Sequence, residues 1–426
     1  MPVPTRAITP LSRPPDATVR VPGSKSVTNR ALVAAALARG PSELSGVLAA
    51  DDTSAMIAGL DALGVVLRVS DDGRRVRVVG TGGRLPATSP SVDVRLSGTT
   101  ARFLAPVLAL AEGTARLDGG EPFRRRPMGP SIDALRQLGA EVVEMGERGR
   151  LPIAVTAPPV PAGRVRVAGD ASSQFLSGLL LVAPVLEDGL TIEVDTPLVS
   201  RPYVALTERV LGWFGAEVHH PDPHTFVVPG SGYTGTDLAI EPDASAASYL
   251  LAAAAITGGR VRVAGLTRHS SQGDADFAHV LGRMGAEVLV DDHGTEVRGT
   301  GRLTGIEVDL GGMSDTAQTL AAVAVFADAP TRITGIGFIR AKETDRIAAV
   351  ATELRRLGID AVEESDGLLI HPGRPAPGTV STYNDHRMAM SFALLGLVVP
   401  GIEIADPHCV DKTFPRYFEV LEELRR

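Results

Sequence analysis

The chain is almost without cysteine. Cys409 is the only one in 426 residues, so an intrachain disulfide and a multi-cysteine metal site are both excluded, and a reducing compartment is expected. Aromatic residues are scarce, at 4% with a single tryptophan, which leaves no stacking platform for single-stranded nucleic acid. An excess of positive charge is missing too: the formal net charge is −8. That balance argues against following nucleic acid or an anionic membrane by bulk electrostatics. Any anion site must then be a local concentration of basic residues. No stretch reaches the ~18 apolar residues of a membrane span. The opening MPVPTRAITPLSRPP also lacks the apolar run of a secretory signal. A cytoplasmic protein with no membrane or nucleic-acid partner is expected.

What is present is ordinary for a globular protein: 44% apolar and 22% charged residues. The length exceeds what one hydrophobic core accommodates, so two domains are expected. Within it runs a repeat. Six apolar helical stretches begin at Ala31, Phe103, Phe175, Tyr249, Leu320 and Met388, at intervals of 68–74 residues. Each is apolar on nearly all sides, the mark of a helix inside a domain. A second, amphipathic helix follows the same beat and stops at Gly64, Gly139, Gly215, Gly285 and Gly358. Glycine just past a helix end, followed by a β-rich stretch such as AEVVEM or AEVLV, is a physically sensible stop.

The unit therefore reads βαβαββ, written six times with the last copy cut short. The predicted fold is α/β (α+β): two similar domains of three units each, with buried parallel helices. The seam is expected near Asp237–Ile240, giving one domain over 19–239. The other combines 1–18 with 240–426, the N-terminal strand around Arg6–Pro10 crossing back to it.

The segments before the buried helices are PGSKSVTNR, LSGTTAR, GDASSQ, PDASAAS, GMSDTAQ and YNDHR. All are small and polar, and a helix N-terminus offers free N–H groups and a partial positive charge to an anion. Three parallel helices per domain would bring three such ends together, and two sets facing each other would make a cationic cleft. Lys25, Arg30, Arg102 and Arg387 lie in first turns, where the dipole disfavours cations. That placement points to an anionic ligand. More basic residues precede the second helices: Arg124, Arg125, Arg126, Arg201, Lys342, Arg346 and Lys412.

Taken singly, each feature has a plainer reading. GSKS can be a cap alone, and it lacks the spacing of a P-loop. Asp170, Asp243 and Asp315 read as helix caps. Glu343 and Asp345 read as a capping and salt-bridge cluster as readily as a site. Cys409 reads as a passive thiol, and Trp213 and Phe214 as core.

Together, PGSKSVTNR, SGTTARF, EPFRRRP, GDASSQFLSG, SRPY, PDASAASY, SDTAQT, KETDR, YNDHRMA and DKTFP occur in an order that resembles the 5-enolpyruvylshikimate-3-phosphate synthases. The resemblance runs from about Arg20 to Phe418. It implies transfer of the enolpyruvyl group of phosphoenolpyruvate to the 5-hydroxyl of shikimate 3-phosphate, without metal or organic cofactor, and inhibition by glyphosate. A monomer is expected. By the matched motifs, shikimate 3-phosphate is held by Lys25, Ser26, Arg30, Ser172, Ser173, Gln174, Ser200, Asp315 and Lys342. Phosphoenolpyruvate is held by Lys25, Gly98, Arg126, Gln174, Arg346, Arg387 and Lys412. Asp315 matches the acid that takes the hydroxyl proton, and Glu343 the acid that exchanges a proton with the methylene carbon. Lys25 stands with them as a catalytic residue.

Three positions depart from common family choices: Leu96 and Phe338 stand where asparagine is frequent, and Phe103 where proline is. The nearest rival is the transferase that acts on UDP-N-acetylglucosamine. It carries a reactive cysteine after a Gly-Gly pair where this chain reads Gly119-Gly120-Glu121. A third reading, a repeat protein acting on RNA ends, is opposed by the acidic charge.

Overall fold

The computed structural model describes residues 3–157 and 163–425. The chain divides into two compact units, one of Gly23–Ile240 and one of Met1–Pro22 with Glu241–Arg426. Each has its own continuous apolar core.

Among the described residues there are six small sheets, three in each unit. The second repeat shows the plan. Ser91–Asp93 pairs parallel with Thr114–Asp118, which pairs antiparallel with Ile153–Thr156, which pairs antiparallel with Glu141–Glu144. A helix follows each of the first two strands and covers one face, so inward residues alternate, as in Ala115 and Leu117. The parallel pair demands a crossover, and the buried helix supplies it.

The leading strands of two repeats come from elsewhere in the sequence. Leu238–Ala239 leads the first repeat, parallel to Arg39–Ser45. Asp16–Val19 leads the fourth, parallel to Arg260–Ala264. Among the described residues the sixth repeat has no closing hairpin of its own. Thr5–Ile8 takes the place beside Ile402–Ala405, antiparallel, with Gly378–Val380 on the other side. The sequence reading placed one strand near the N-terminus; the structure has two, separated by the Pro14-Pro15 pair.

The buried helices are Lys25–Leu37, Gly98–Val107, Ser173–Val182, Ala244–Thr257, Ala317–Ala324 and His386–Gly396. In each unit the three pack together with their first two turns in contact. Gln174 Nε2 reaches Thr99 Oγ1 at 3.3 Å and Arg30 reaches Ser177 at 3.4 Å. In the other unit Ser248 meets Thr319 at 3.1 Å and Arg387 meets Tyr249 at 3.2 Å. Their N-termini therefore emerge side by side within each unit.

Close approach needs small residues: a Cβ at Gly178 would lie 2.2 Å from the Arg102 carbonyl oxygen. The five helix-ending glycines all have positive φ, from 81° to 107°, a conformation that a Cβ would strain. Phe214 is buried, whereas Trp213 is only partly so. No helix of the described residues is long and apolar enough to cross a membrane.

Candidate active site

Five of the six buried helices begin at a side-chain cap; the fifth, Ala317–Ala324, has none. Ser24, Ser97 and Ser172 accept from the N–H groups of Val27, Thr100 and Gln174. Asp243 accepts from Ala246 and Asp385 from Arg387. Asp170, expected as a cap, is not one. It is exposed and its own N–H donates to Thr196, while Ser172, two residues nearer the helix, does the capping. Asp315 is not a cap either. It sits in a tight turn, Ser314–Thr316, ahead of the fifth helix, and its carboxylate faces arginines.

In the unit of Gly23–Ile240, Lys25 opens the first helix with its ammonium 3.4 Å from buried Asp52. Arg30, one turn on, is 2% exposed. Its donors go to Thr207 Oγ1 (2.7 Å), the Ser26 carbonyl (2.9 Å), Ser177 Oγ (3.4 Å) and the Tyr203 carbonyl (3.0 Å). The guanidinium lies 5.0 Å from the Phe103 ring centroid, so the phenylalanine that replaces proline supplies a π face to a buried cation. All these partners are uncharged. Burial without a carboxylate to offset it pulls Arg30 down to about 9, still charged at neutral pH.

Gln174 ties the second and third helices. It accepts from Arg102 Nη1 at 2.7 Å and donates to Thr99. Ser26 and Gln174 are half-buried, and Ser173 is buried, in the first turns of their helices. Ser200 caps helix Arg201–Trp213 in the left-handed region, with φ 53°, a strain that clusters at functional sites.

The run Arg124–Arg126 splits. Arg124 pairs with Asp118 and Arg125 with Glu121, both as exposed surface pairs. Arg126 lies instead against Gly98, where an added Cβ would come within 3.1 Å of both its terminal nitrogens.

In the other unit the organising group is Arg346, also 2% exposed. It opens helix Arg346–Arg356 behind the cap Asp345, which accepts from Ala348. Its Nε donates to Asp385 at 2.8 Å, Nη1 to Asp315 at 3.1 Å and Nη2 to Glu343 at 2.8 Å. Burial opposes its charge, but Asp385, Glu343 and Asp315 outweigh it and hold the guanidinium above its ordinary range. Arg387 adds a second cation to Asp315 at 2.5 Å and donates to Tyr249, whose phenol burial raises to about 12.

Arg340 ties Asp345 to Glu363, fixing the loop that carries Lys342 and Glu343. Lys342 lies 5.9 Å from the Phe338 ring centroid, so the second departure again gives a cation an aromatic face. Leu96 is partly exposed just before the second helix. Lys412 ends the short turn Pro407–Lys412, half-buried.

Asp385 was not singled out from the sequence, although YNDHR was. An aspartate two residues before an arginine at a helix start is the available signal. Tyr203, Thr207 and Asp52 carried none, because their roles depend on contacts across the fold.

Comparisons with known proteins bear on the family and the fold. The family model for EPSP synthase (3-phosphoshikimate 1-carboxyvinyltransferase) matches residues 12–421. A 3-phosphoshikimate 1-carboxyvinyltransferase of Trichormus variabilis is 45% identical over 415 residues, 97% of each chain. One of Ralstonia pickettii is 44% identical over 413 residues, 94% of this chain and 95% of the relative. The solved EPSP synthase of Acinetobacter baumannii superposes with a TM-score of 0.81 at 27% identity, covering 99% of this chain and 98% of that one. The enolpyruvyl transferase NikO of Streptomyces tendae gives 0.79 at 19% identity, covering 99% and 98%, a likeness of fold. With a family model spanning nearly its whole length and relatives identical at almost half of all positions, this chain belongs to the EPSP synthase (3-phosphoshikimate 1-carboxyvinyltransferase) family.

Proposed function

We infer that this chain transfers the enolpyruvyl group of phosphoenolpyruvate to the 5-hydroxyl of shikimate 3-phosphate and releases phosphate, with Asp315 and Glu343 as its proton carriers. The observation that carries this reading is that one buried guanidinium, Arg346, holds both carboxylates. The reaction has two stages. In the first, the hydroxyl oxygen bonds to the central carbon of phosphoenolpyruvate, loses its proton, and the methylene carbon gains one. In the second, the methyl group returns a proton, the double bond re-forms and phosphate leaves. Two carboxyl groups at fixed positions meet these demands, Asp315 taking the proton from oxygen and Glu343 serving carbon in both directions. A rigid fork sets their separation in advance, so neither has to be ordered at the moment of reaction.

The remaining assignments follow the chemistry of each group. Ser172, Ser173, Gln174 and Ser200 offer hydroxyls, an amide and helix-start N–H groups to the phosphate of shikimate 3-phosphate. Lys25, Ser26 and Lys342 hold its other oxygens. Arg30 supports them: four of its five N–H donors are engaged by the protein, so it contributes chiefly positive potential and fixes the Ser26 carbonyl. Arg126, Arg387, Lys412 and Lys25, with Gln174 and the small Gly98, suit the carboxylate and phosphate of phosphoenolpyruvate. Arg346 joins them mainly by orienting the acids. The single, partly buried Cys409, raised to about 12 by burial, suits a cytoplasmic enzyme with no thiol chemistry.

The test is phosphate release from phosphoenolpyruvate with either shikimate 3-phosphate or UDP-N-acetylglucosamine as acceptor. Release with shikimate 3-phosphate alone is expected. Release with only the sugar nucleotide would overturn the assignment.

A further inference from the structure

The segment that delivers Asp385 and Arg387 is held in a conformation its residues do not favour. Asp385 N–H donates to the Thr382 carbonyl at 2.8 Å, closing a turn around Tyr383 and Asn384. Both central residues have positive φ, 56° and 55°, the pattern of a type I′ turn, which glycine and asparagine accept and a bulky side chain resists. Asn384 suits its place. Tyr383 does not.

The grip that compensates comes from helix Arg346–Arg356. Arg346 and Glu353 are seven residues apart, two turns, and so share one face. Arg346 donates to Asp385 on one side of the turn. Glu353, fully buried, accepts from the Ser381 N–H at 3.0 Å and from the Tyr383 hydroxyl at 2.7 Å on the other. Arg356 braces the same carboxylate at 2.9 Å and Ser381 Oγ at 3.1 Å. Burial, and then Glu353 as acceptor, push the Tyr383 phenol up to about 12, so it remains a donor through the neutral range. Glu353, Tyr383, Asp385 and Arg346 thus form a closed circuit of contacts with the helix as its fourth side.

We propose that Glu353 and Tyr383 are positioning residues: their hydrogen bond holds the left-handed turn so that Asp385, and through it Arg346 and Arg387, keep their places. This rests on the reading that Arg387 serves phosphoenolpyruvate and that Arg346 orients the acids beside it. Neither Glu353 nor Tyr383 touches a reacting atom in that reading.

Tyr383→Phe removes the O–H and little else. Loss of a hydrogen bond to a charged acceptor shifts an equilibrium by about 10- to 100-fold. We expect kcat/KM for phosphoenolpyruvate to fall by that factor, with KM for shikimate 3-phosphate within about two-fold and the circular-dichroism melt within a few degrees. Tyr383→Asn should lose less than Tyr383→Phe, because asparagine enters the left-handed region without help. Unchanged kinetics in Tyr383→Phe would overturn the proposal, as would a loss that tracks only the folded fraction with both KM values intact. A Tyr383→Asn variant more defective than Tyr383→Phe would also sink it. Arg387→Lys separates the two layers. If it leaves KM for phosphoenolpyruvate unchanged, the site assignment fails and the proposal with it. If it raises that KM while Tyr383→Phe does nothing, only the brace is wrong.

Discussion

Arg30 and Arg346 are each 2% exposed and each stands in the first two turns of a helix, but their surroundings are opposite. Arg346 is enclosed by Asp315, Glu343 and Asp385. Arg30 is enclosed by hydroxyls, carbonyls and the Phe103 ring. Burial weakens the charge of one and carboxylates strengthen that of the other, and the two titrations move in opposite directions accordingly. A buried cation with only neutral partners leaves its positive field available to an incoming anion. A cation saturated with carboxylates has no such field left; it is an orienting scaffold for acids. On the proposed function, the same residue type would serve attraction in one unit and proton chemistry in the other. The order of the repeats alone would not have separated them.

The contrast can be broken most severely at the acids. Glu343→Gln and Asp315→Asn should each lower kcat by roughly 10²–10⁴-fold, the usual worth of a positioned acid or base. Shikimate 3-phosphate binding by calorimetry should change far less for Glu343→Gln. Near-normal turnover in either variant removes it from the proton path.

Next in size is stability. Arg346→Met leaves three carboxylates without their shared cation, and breaking a buried ion pair costs about 3–5 kcal/mol. Arg30→Met removes a charge that lacks a counter-ion and should cost no more than about 2 kcal/mol, from acceptors left unpaired. Urea unfolding of both variants decides this. Equal losses would mean that the two arginines do not differ as described.

Gly98→Ala acts on a third cation. The methyl would sit 3.1 Å from both terminal nitrogens of Arg126, so Arg126 must give way. A methyl-sized mismatch is worth roughly 10–200-fold. The inhibition constant of glyphosate should rise by a larger factor than KM for phosphoenolpyruvate, with shikimate 3-phosphate affinity within a few-fold. Equal factors for inhibitor and substrate would show that Gly98 does not discriminate by length. The smallest effect is a null one. With the Cys409 thiol raised to about 12 by burial, only about 10⁻⁴ of it is thiolate at pH 8, so iodoacetamide should leave activity intact. Rapid inactivation would contradict a passive thiol.

Much of this molecule could be read before any coordinates. The recurrence of apolar helices, the glycines that stop their amphipathic partners and the small polar segments at helix starts are local signals, and local signals survive in a sequence. Gly64 and Gly358 have the left-handed φ that a helix stop requires. What could not be read depends on distance. Asp315, Glu343, Arg346 and Asp385 span about seventy positions, and nothing in SDTAQT says that its aspartate turns to arginine and not to its own helix. Choosing between Asp170 and Ser172 as a cap needed the helix start to within two residues, finer than hydrophobic periodicity resolves. The run Arg124–Arg126 looked uniform because charge is visible in sequence and partners are not. Tyr383 gave no warning, since tyrosine is not a residue from which a left-handed turn is expected.

The two strands before residue 20 have a consequence for how the protein is made. Thr5 pairs with Ala405 and Asp16 with Arg260, so two strands made early belong to sheets completed only by residues made much later. At about 5–20 residues per second, Thr5–Ile8 waits some 20–80 seconds for its partner. In Gly23–Ile240 the longest wait, of Arg39–Ser45 for Leu238–Ala239, is shorter, because all three of its sheets close within its own span. Assembly is therefore staggered by connectivity alone. The unit that holds Arg30 can be complete while Glu343, Arg346 and Asp385 are still being synthesised, and Asp16–Val19 must stay unpaired and unaggregated until Arg260–Ala264 is made, Thr5–Ile8 until Ile402–Ala405 is made. Thr5, Arg6 and Ala7 are exposed, and the strand is only four residues long, with Arg6 and the prolines at positions 4 and 10 beside it. Those are the features that keep an unpaired edge from recruiting another chain.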